Sequence, residues 1–250
     1  MIDLLDIAVY YNNHKSLDGL SLHVAKGTLL GVLGPGGCGK STMCKVIAGL
    51  VKPQKGIVLV NGVKLMEATG KDILNLQKKI GMQFQNDALF EHMSVLENVS
   101  YPLKRLTDKS EDEVEYLAVR QITMVGLSGY ENSSLNKISG GQRRRVALAR
   151  ACVTSPDILI CDDPTAGLDP VTSRKILDMI AGIRVEGEST IIVVSSDVPG
   201  LLSISSRVAL LWDGRIIEEE KTSEFKKSET GEVRRFLKDA VLPFKNWSWS

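Results

Sequence analysis

The stretch Gly34-Pro35-Gly36-Gly37-Cys38-Gly39-Lys40-Ser41-Thr42 joins an apolar run, Leu29 to Leu33, to an amphipathic run that begins at Lys40. An apolar segment of strand length stopped by glycine and followed by helical periodicity predicts a buried strand turning sharply into a helix. Gly34, Gly36, Gly37 and Gly39 let successive backbone N–H groups curl round an anion, and the helix N-terminus adds the positive end of a dipole. The spacing Gly34-x-x-x-x-Gly39-Lys40-Ser41 is that of a loop that cradles nucleotide phosphates. Lys40 would bridge the β- and γ-phosphates, and the Ser41 hydroxyl would ligate magnesium. A glycine-rich turn of purely structural use is the competing reading. The matching acidic strand downstream leaves it little room.

That strand is Ile158 to Cys161, which ends in Asp162. An acidic residue at a strand end beside a phosphate loop can hold the magnesium through water. Asp163 follows, aimed where a base would polarise an attacking water. Further strand candidates are Ile2 to Tyr10, Leu20 to Val24, Thr28 to Leu33, Gly56 to Val60, Ile80 to Gln83, Thr190 to Val194, Val208 to Trp212 and Arg215 to Glu219. Helices are expected over Lys40 to Ala48, Ser110 to Val125, Gly140 to Thr154, Pro170 to Glu186 and Val198 to Ser203. Alternation of this kind predicts a mainly parallel sheet covered by helices. Asn61-Gly62 and Asp213-Gly214 read as hairpin turns, so an antiparallel part is expected as well. From Phe90 to Asn136 the pattern is mostly helical and interrupts the α/β core.

Composition narrows the function classes. With 250 residues, 24% charged, 43% apolar and a net charge of +1, the chain suits a globular domain with no global field for nucleic acid or anionic membrane. The opening Met1 to Tyr10 carries Asp3 and Asp6 and no basic segment, so no secretory signal is expected. No apolar run reaches the roughly 18 residues that span a bilayer, and a cytoplasmic placement follows as an expectation. Cys38, Cys44, Cys152 and Cys161 show no CxxC spacing, which predicts reduced, mostly buried thiols rather than a zinc site. His14, His23 and His92 are scattered and read as surface or capping residues.

Ser139-Gly140-Gly141-Gln142, followed by Arg143-Arg144-Arg145 and Ala147-Leu148-Ala149-Arg150-Ala151, resembles the signature helix of ABC-transporter ATPases. Gln85 matches that family's Q-loop, Ala166-Gly167-Leu168-Asp169 its D-loop, and Tyr11 stands where the family stacks an aromatic on adenine. The bland reading of Ser139 is an ordinary helix cap. The resemblance covers nearly the whole chain and implies an α/β fold, a P-loop NTPase (RecA-like) core with an antiparallel β subdomain and an inserted α-helical subdomain. It implies an ATPase domain over residues 1–227, the helical subdomain at about 90–155, and a C-terminal extension over 228–250. It further implies ATP and Mg²⁺ as cofactors, with Ser41, Gln85 and Asp162 at the metal. Two chains, a homodimer in the first instance, would sandwich ATP head to tail. Gly34 to Thr42 of one chain would then face Ser139, Gly140, Gly141 and Gln142 of the other. A membrane permease would hold the pair on the cytoplasmic face of an inner membrane, and nucleic acid is no partner. Its coupling helix would meet Glu91 to Glu97, for which a plain amphipathic connector is the equal alternative.

Ser195-Ser196-Asp197-Val198-Pro199 and the ending Val233 to Phe244 are similar to the ATPase of Mla-type lipid transporters, which work with MCE-domain proteins. There the C-terminal extension reaches the neighbouring ATPase chain. The alternative is a surface helix whose Phe236, Leu237 and Leu242 pack on their own domain, although Phe244, Trp247 and Trp249 favour a partner surface. Two positions depart from the family: Asp163 stands where Glu is usual, and Ser196 where His is usual. The shorter carboxylate is displaced by about 1.5 Å, one C–C bond, and misplacement of about 1 Å can cost roughly a hundredfold. A lost imidazole removes a group of the kind that contributes about 10²–10⁴ in rate. Gln85, Asp163 and Ser196 therefore form the catalytic set of either a working motor or a nucleotide-binding switch that helps a more active partner chain.

Overall fold

The computed structural model describes residues 1–12, 14–186 and 189–241. Strand β1 (Ile2–Tyr11) pairs antiparallel with β2 (His14–Val24), which starts six residues before the expected Leu20. The polar opening of β2 hides it from a hydrophobicity pattern, and register shifts along the pair break its alternation. β3 (Leu29–Leu33) is buried at all five positions, as a central strand covered on both faces must be. It runs into the glycine loop and then α1 (Lys40–Ile47). β4 (Lys55–Val60) and β5 (Val63–Lys64) close a hairpin at Asn61-Gly62, where φ is 47° and 83°. α2 (Gly70–Gln77) was not expected from periodicity, yet Thr69 and Asp72 form a reciprocal capping box at its start.

β6 (Ile80–Gln83) leads into the helical insertion: α3 (Val95–Leu106), α4 (Glu111–Met124), a 3₁₀ turn (Leu135–Lys137) and α5 (Gly140–Cys152). Each helix starts with a capping box: Ser94 with Glu97, Ser110 with Glu113, Ser139 with Gln142. The insertion has an apolar cluster of its own that includes Val95, Val99, Leu103, Val114, Ala118, Ile122 and Val146. The chain then returns through β7 (Ile158–Asp162), α6 (Pro170–Glu186), β8 (Thr190–Val194), α7 (Val198–Ile204), β9 (Arg207–Trp212) and β10 (Arg215–Lys221). Asp213 and Gly214, with φ of 46° and 75°, make the last hairpin.

Two sheets result, β2-β1-β4-β5 and β10-β9-β3-β8-β7-β6. The first is antiparallel; in the second only the β9–β10 pair is. Leu30 and Val32 of β3 pack toward the antiparallel sheet and α1, while Leu29 and Leu33 pack with α6 and α7 on the opposite face. β6 runs close against the end of α5. A Cβ added at Gly81 would lie 2.0 Å from the Ala151 carbonyl oxygen and 2.9 Å from Pro156 Cγ. Gly81→Ala is therefore expected to lower stability by about 1–3 kcal/mol, read as a lower urea midpoint at unchanged slope.

The chain ends in α8 (Thr222–Phe225) and α9 (Gly231–Val241). Phe236 and Leu237 of α9 pack on the cluster below, and Phe236 meets Trp212 edge to face at 6.4 Å. For these two side chains the surface-helix reading applies; Leu242, Phe244, Trp247 and Trp249 lie outside the described residues. The four cysteines are free and buried. His23 pairs with Asp3 on the exposed side of the first sheet.

Candidate nucleotide-binding site

The glycine loop sits at the C-terminal end of β3, where an open α/β sheet presents its crevice. Two of its glycines are steric necessities. A Cβ at Gly34 would lie 2.2 Å from the Leu211 carbonyl oxygen, and one at Gly39, where φ is 108°, would lie 2.4 Å from the Ser16 carbonyl oxygen. Gly36 and Gly37 face open space instead, with nothing within 4 Å of an added Cβ. The loop is thus clamped at both ends and bare in the middle, the shape of a phosphate cradle. Lys40 Nζ donates to the Gly34 and Pro35 carbonyls at 2.7 and 2.8 Å, and Cys38 Sγ lies 3.9 Å away. These bonds arch the side chain back over the loop.

Tyr11, Ser16, Gly36, Gly37, Gly39, Lys40, Ser41, Thr42, Gln85, Asp162, Asp163 and Ser196 line one cleft of about 430 Å³. Strand ends from both sheets supply it. Tyr11 closes β1 and is 45% exposed. Ser41 Oγ donates to Asp162 Oδ1 at 3.0 Å. Burial pushes the Asp162 carboxyl up from its usual value; the Ser41 bond opposes this, and the neighbouring Asp163 charge adds to it. Asp162 is 4% exposed; among the described residues its side-chain hydrogen bond comes from a hydroxyl, and Lys45 and Lys40 act on its charge only through space. A small divalent cation would offset that desolvation, and a hydroxyl, a carboxylate and retained waters are the donor set magnesium takes. The residues therefore fit Mg²⁺. Among the described residues no group of three or more His, Cys, Asp or Glu side chains gathers as a protein-only metal site. A cation here would need oxygens from elsewhere, and phosphates supply them.

Asp163 adopts φ of 49°, a conformation that Asp tolerates better than most residues. Its N–H donates to the Val194 carbonyl at 2.8 Å. Ser196 is exposed on the cleft wall, as is Gln85 at the start of the loop after β6. Pro35 and Cys38 shape the loop without lining the cleft.

Ser139, Gly140, Gly141 and Gln142 are not brought to this cleft. Ser139, Gly141 and Gln142 line a separate hollow of about 280 Å³ with Asp169, Thr172 and Lys175. Ser139 accepts from the Gln142 N–H at 3.3 Å, and its own N–H donates to Gln142 Oε1 at 2.8 Å. Gly140 has nothing within 4 Å of an added Cβ, whereas one at Gly141 would lie 2.7 Å from Thr172 Cγ2. The phosphate loop and the start of α5 thus lie in two separate hollows of one chain. Sequence reasoning missed three further contributors. Ser16 bonds Thr42 (Oγ–Oγ1 2.7 Å) across 26 residues, which only the β2 register brings about. Arg144 reaches the Gln85 carbonyl, the Asp87 carboxylate at 2.6 Å and the Ala166 carbonyl at 3.3 Å, tying three loops to α5. Ser195 bonds Asp163 at 3.2 Å.

Comparison with known proteins agrees with this geometry. The ABC transporter family model matches residues 17–166. A methionine import ATP-binding protein, MetN of Carboxydothermus hydrogenoformans, is 37% identical over 82% of this chain and 60% of its own length. The chain thus spans about three fifths of that relative. The intermembrane phospholipid transport ATP-binding protein MlaF of Haemophilus influenzae is 32% identical over 98% of this chain and 94% of its own length. Among solved structures, the ATP-binding cassette MJ0796 in a dimeric post-hydrolysis state bound to ADP and Pi superposes with a TM-score of 0.83. It is 31% identical and the match covers 89% of this chain and 99% of that one. The chain is an ATP-binding cassette and belongs to the ABC transporter family, whose cassettes bind ATP with magnesium.

Proposed function

We propose that this cassette hydrolyses Mg-ATP between two head-to-tail copies and that the work drives a membrane permease for phospholipid. The observation that carries the composite site is the separation of the two anion cradles: Lys40 and Ser41 in one cleft, Ser139 in another hollow. In this reading Gly36, Gly37 and Lys40 hold the phosphates, Tyr11 stacks on the base, and Ser41 with Asp162 holds the cation. Bound magnesium supplies charge neutralisation at the phosphate oxygens. Gln85 faces the cation and the attacking water, and Asp163 takes a proton from that water. Ser196 offers a hydroxyl where the family has an imidazole. Ser139 and the N-terminal turn of α5 close the site from the second copy. Ser139→Arg should leave nucleotide binding to the isolated chain unchanged and cut turnover of the pair by roughly a hundredfold or more, as a misaligned site does. Equilibrium binding and steady-state hydrolysis read the two separately.

The permease contact is assigned to the segment from about Asn86 to Tyr101, which runs into the first two turns of α3. Glu97 caps α3 and Glu91 pairs with Arg143. Beside them an apolar groove of about 340 Å³ is lined by Met82, Phe84, Phe90, Tyr101 and Pro102. Such a groove suits a short amphipathic helix. This divides the chain, in the same proposal, into an ATPase domain over 1–227 with helical subdomain at about 90–155, and an extension over 228–250. The cytoplasmic face of an inner membrane is the corresponding location.

Phospholipid as cargo is supported by the match to MlaF, which covers 94% of that protein's own length, whereas the more identical MetN relatives match over up to 98% of this chain but only 60% to 73% of theirs. Affinity capture of the tagged chain from membranes tests the cargo: an MCE-domain protein supports it, and an amino-acid-type permease overturns it. The second reading, a hydrolysis-impaired helper to another ATPase chain, is favoured by Asp163 and Ser196 alone.

A further inference from the structure

Behind the cleft wall, at the end of β8, lies a hydroxyl that does not itself line the cleft. Ser195 is fully buried, and its hydroxyl takes part in three hydrogen bonds. The Asp197 N–H donates to its Oγ at 3.0 Å, Thr165 Oγ1 lies 3.3 Å from that Oγ, and the Ser195 hydroxyl donates to Asp163 Oδ1 at 3.2 Å. A serine hydroxyl has one proton and two lone pairs, and an ionised carboxylate only accepts. The proton of Ser195 therefore goes to Asp163, and its two lone pairs receive the Asp197 N–H and the Thr165 O–H. The line has one direction, Thr165 to Ser195 to Asp163. The main chain repeats the anchorage, since the Asp163 N–H donates to Val194 on the same strand. Asp163 nevertheless lines the cleft, and its Oδ2 makes no hydrogen bond among the described residues.

We infer that Ser195, backed by Thr165, is a positioning residue for hydrolysis: it pins Oδ1 of Asp163 and leaves Oδ2 to face the attacking water. The inference rests on the reading of Asp163 as the base. A carboxylate on a one-carbon stem cannot search far for its water, and a misplacement of about 1 Å can cost roughly a hundredfold. Fixing one oxygen removes the remaining side-chain rotation, so the free oxygen has one place to be. Thr165 lies in the segment that continues into Gly167, Leu168 and Asp169, so that loop orders the base through Ser195.

Single-turnover Mg-ATP hydrolysis by the full chain tests this, because it resolves slow rates. Ser195→Ala should lower the rate constant by about tenfold, within the range for positioning effects, with the ATP half-saturation unchanged. Ser195→Thr keeps the hydroxyl and should recover most of the rate. The deciding comparison places Ser195→Ala in the Asp163→Glu background, where the longer side chain no longer depends on the pin and the loss should fall below about twofold. An equal loss in both backgrounds, or a change in half-saturation alone, would overturn the positioning role in favour of packing. Asp163→Asn separates the two levels. Full activity in that variant removes Asp163 as the base. Loss of activity in Asp163→Asn, with Ser195→Ala at wild-type rate, removes the positioning role only.

Discussion

Lys40→Ala is expected to reduce steady-state Mg-ATP hydrolysis by about 10²–10³-fold, the range seen when a preorganised donor at a developing charge is removed. The ammonium is already built into the loop, held by the Gly34 and Pro35 carbonyls at 2.7 and 2.8 Å. Alanine deletes the charge that faces the phosphates and also leaves those two carbonyls without their donor. Binding and turnover should therefore fall together. The fold should survive, because Gly34 and Gly39 are clamped by backbone contacts independent of the lysine. A purified preparation whose hydrolysis was untouched by Lys40→Ala would place the activity outside this cleft.

The second large effect runs in the opposite direction. Asp163→Glu combined with Ser196→His should raise the rate constant by up to about 10²–10⁴-fold, the contribution of a well-placed acid–base group. The gains from the two changes should not multiply, since residues that act as a unit are not additive. The conformation at position 163 bears on the size of the gain. With φ at 49°, Asp sits where a short polar side chain is tolerated and Glu is less at ease. A large gain would mark the natural chain as a slow switch or helper. Clear wild-type turnover with little gain would mark a working motor whose surroundings have accommodated both residues.

Local features of the sequence carried the loop between β3 and α1, because strand, glycines and Lys40-Ser41 lie within one short stretch. The two hairpins were legible for the same reason: Asn-Gly and Asp-Gly prefer the positive φ found at both turns. α3 was not, since Pro102 lies within it and reads as a break, although Ser94 and Glu97 spell a capping box at its start. The early part of β2 escaped because His14 and Lys15 face solvent, Ser16 is polar although buried, and the pairing register shifts. The same logic divides the site. Residues that act through their own motif could be named from spacing. Ser16, Arg144 and Ser195 act through partners 26, 57 and 32 positions away, and only the folded pairing of strands and helices reveals them.

The distance between the Lys40 cleft and the Ser139 hollow also has a consequence for reaction order. If each catalytic unit needs one cradle from each of two molecules, dilute enzyme without its permease should show specific activity that climbs in proportion to its own concentration. The activity would level off only once pairs predominate. A permease that holds two cassettes side by side would abolish that dependence by supplying an effective concentration in the millimolar range. In such an assembly, the membrane component would set the rate before any cargo arrived.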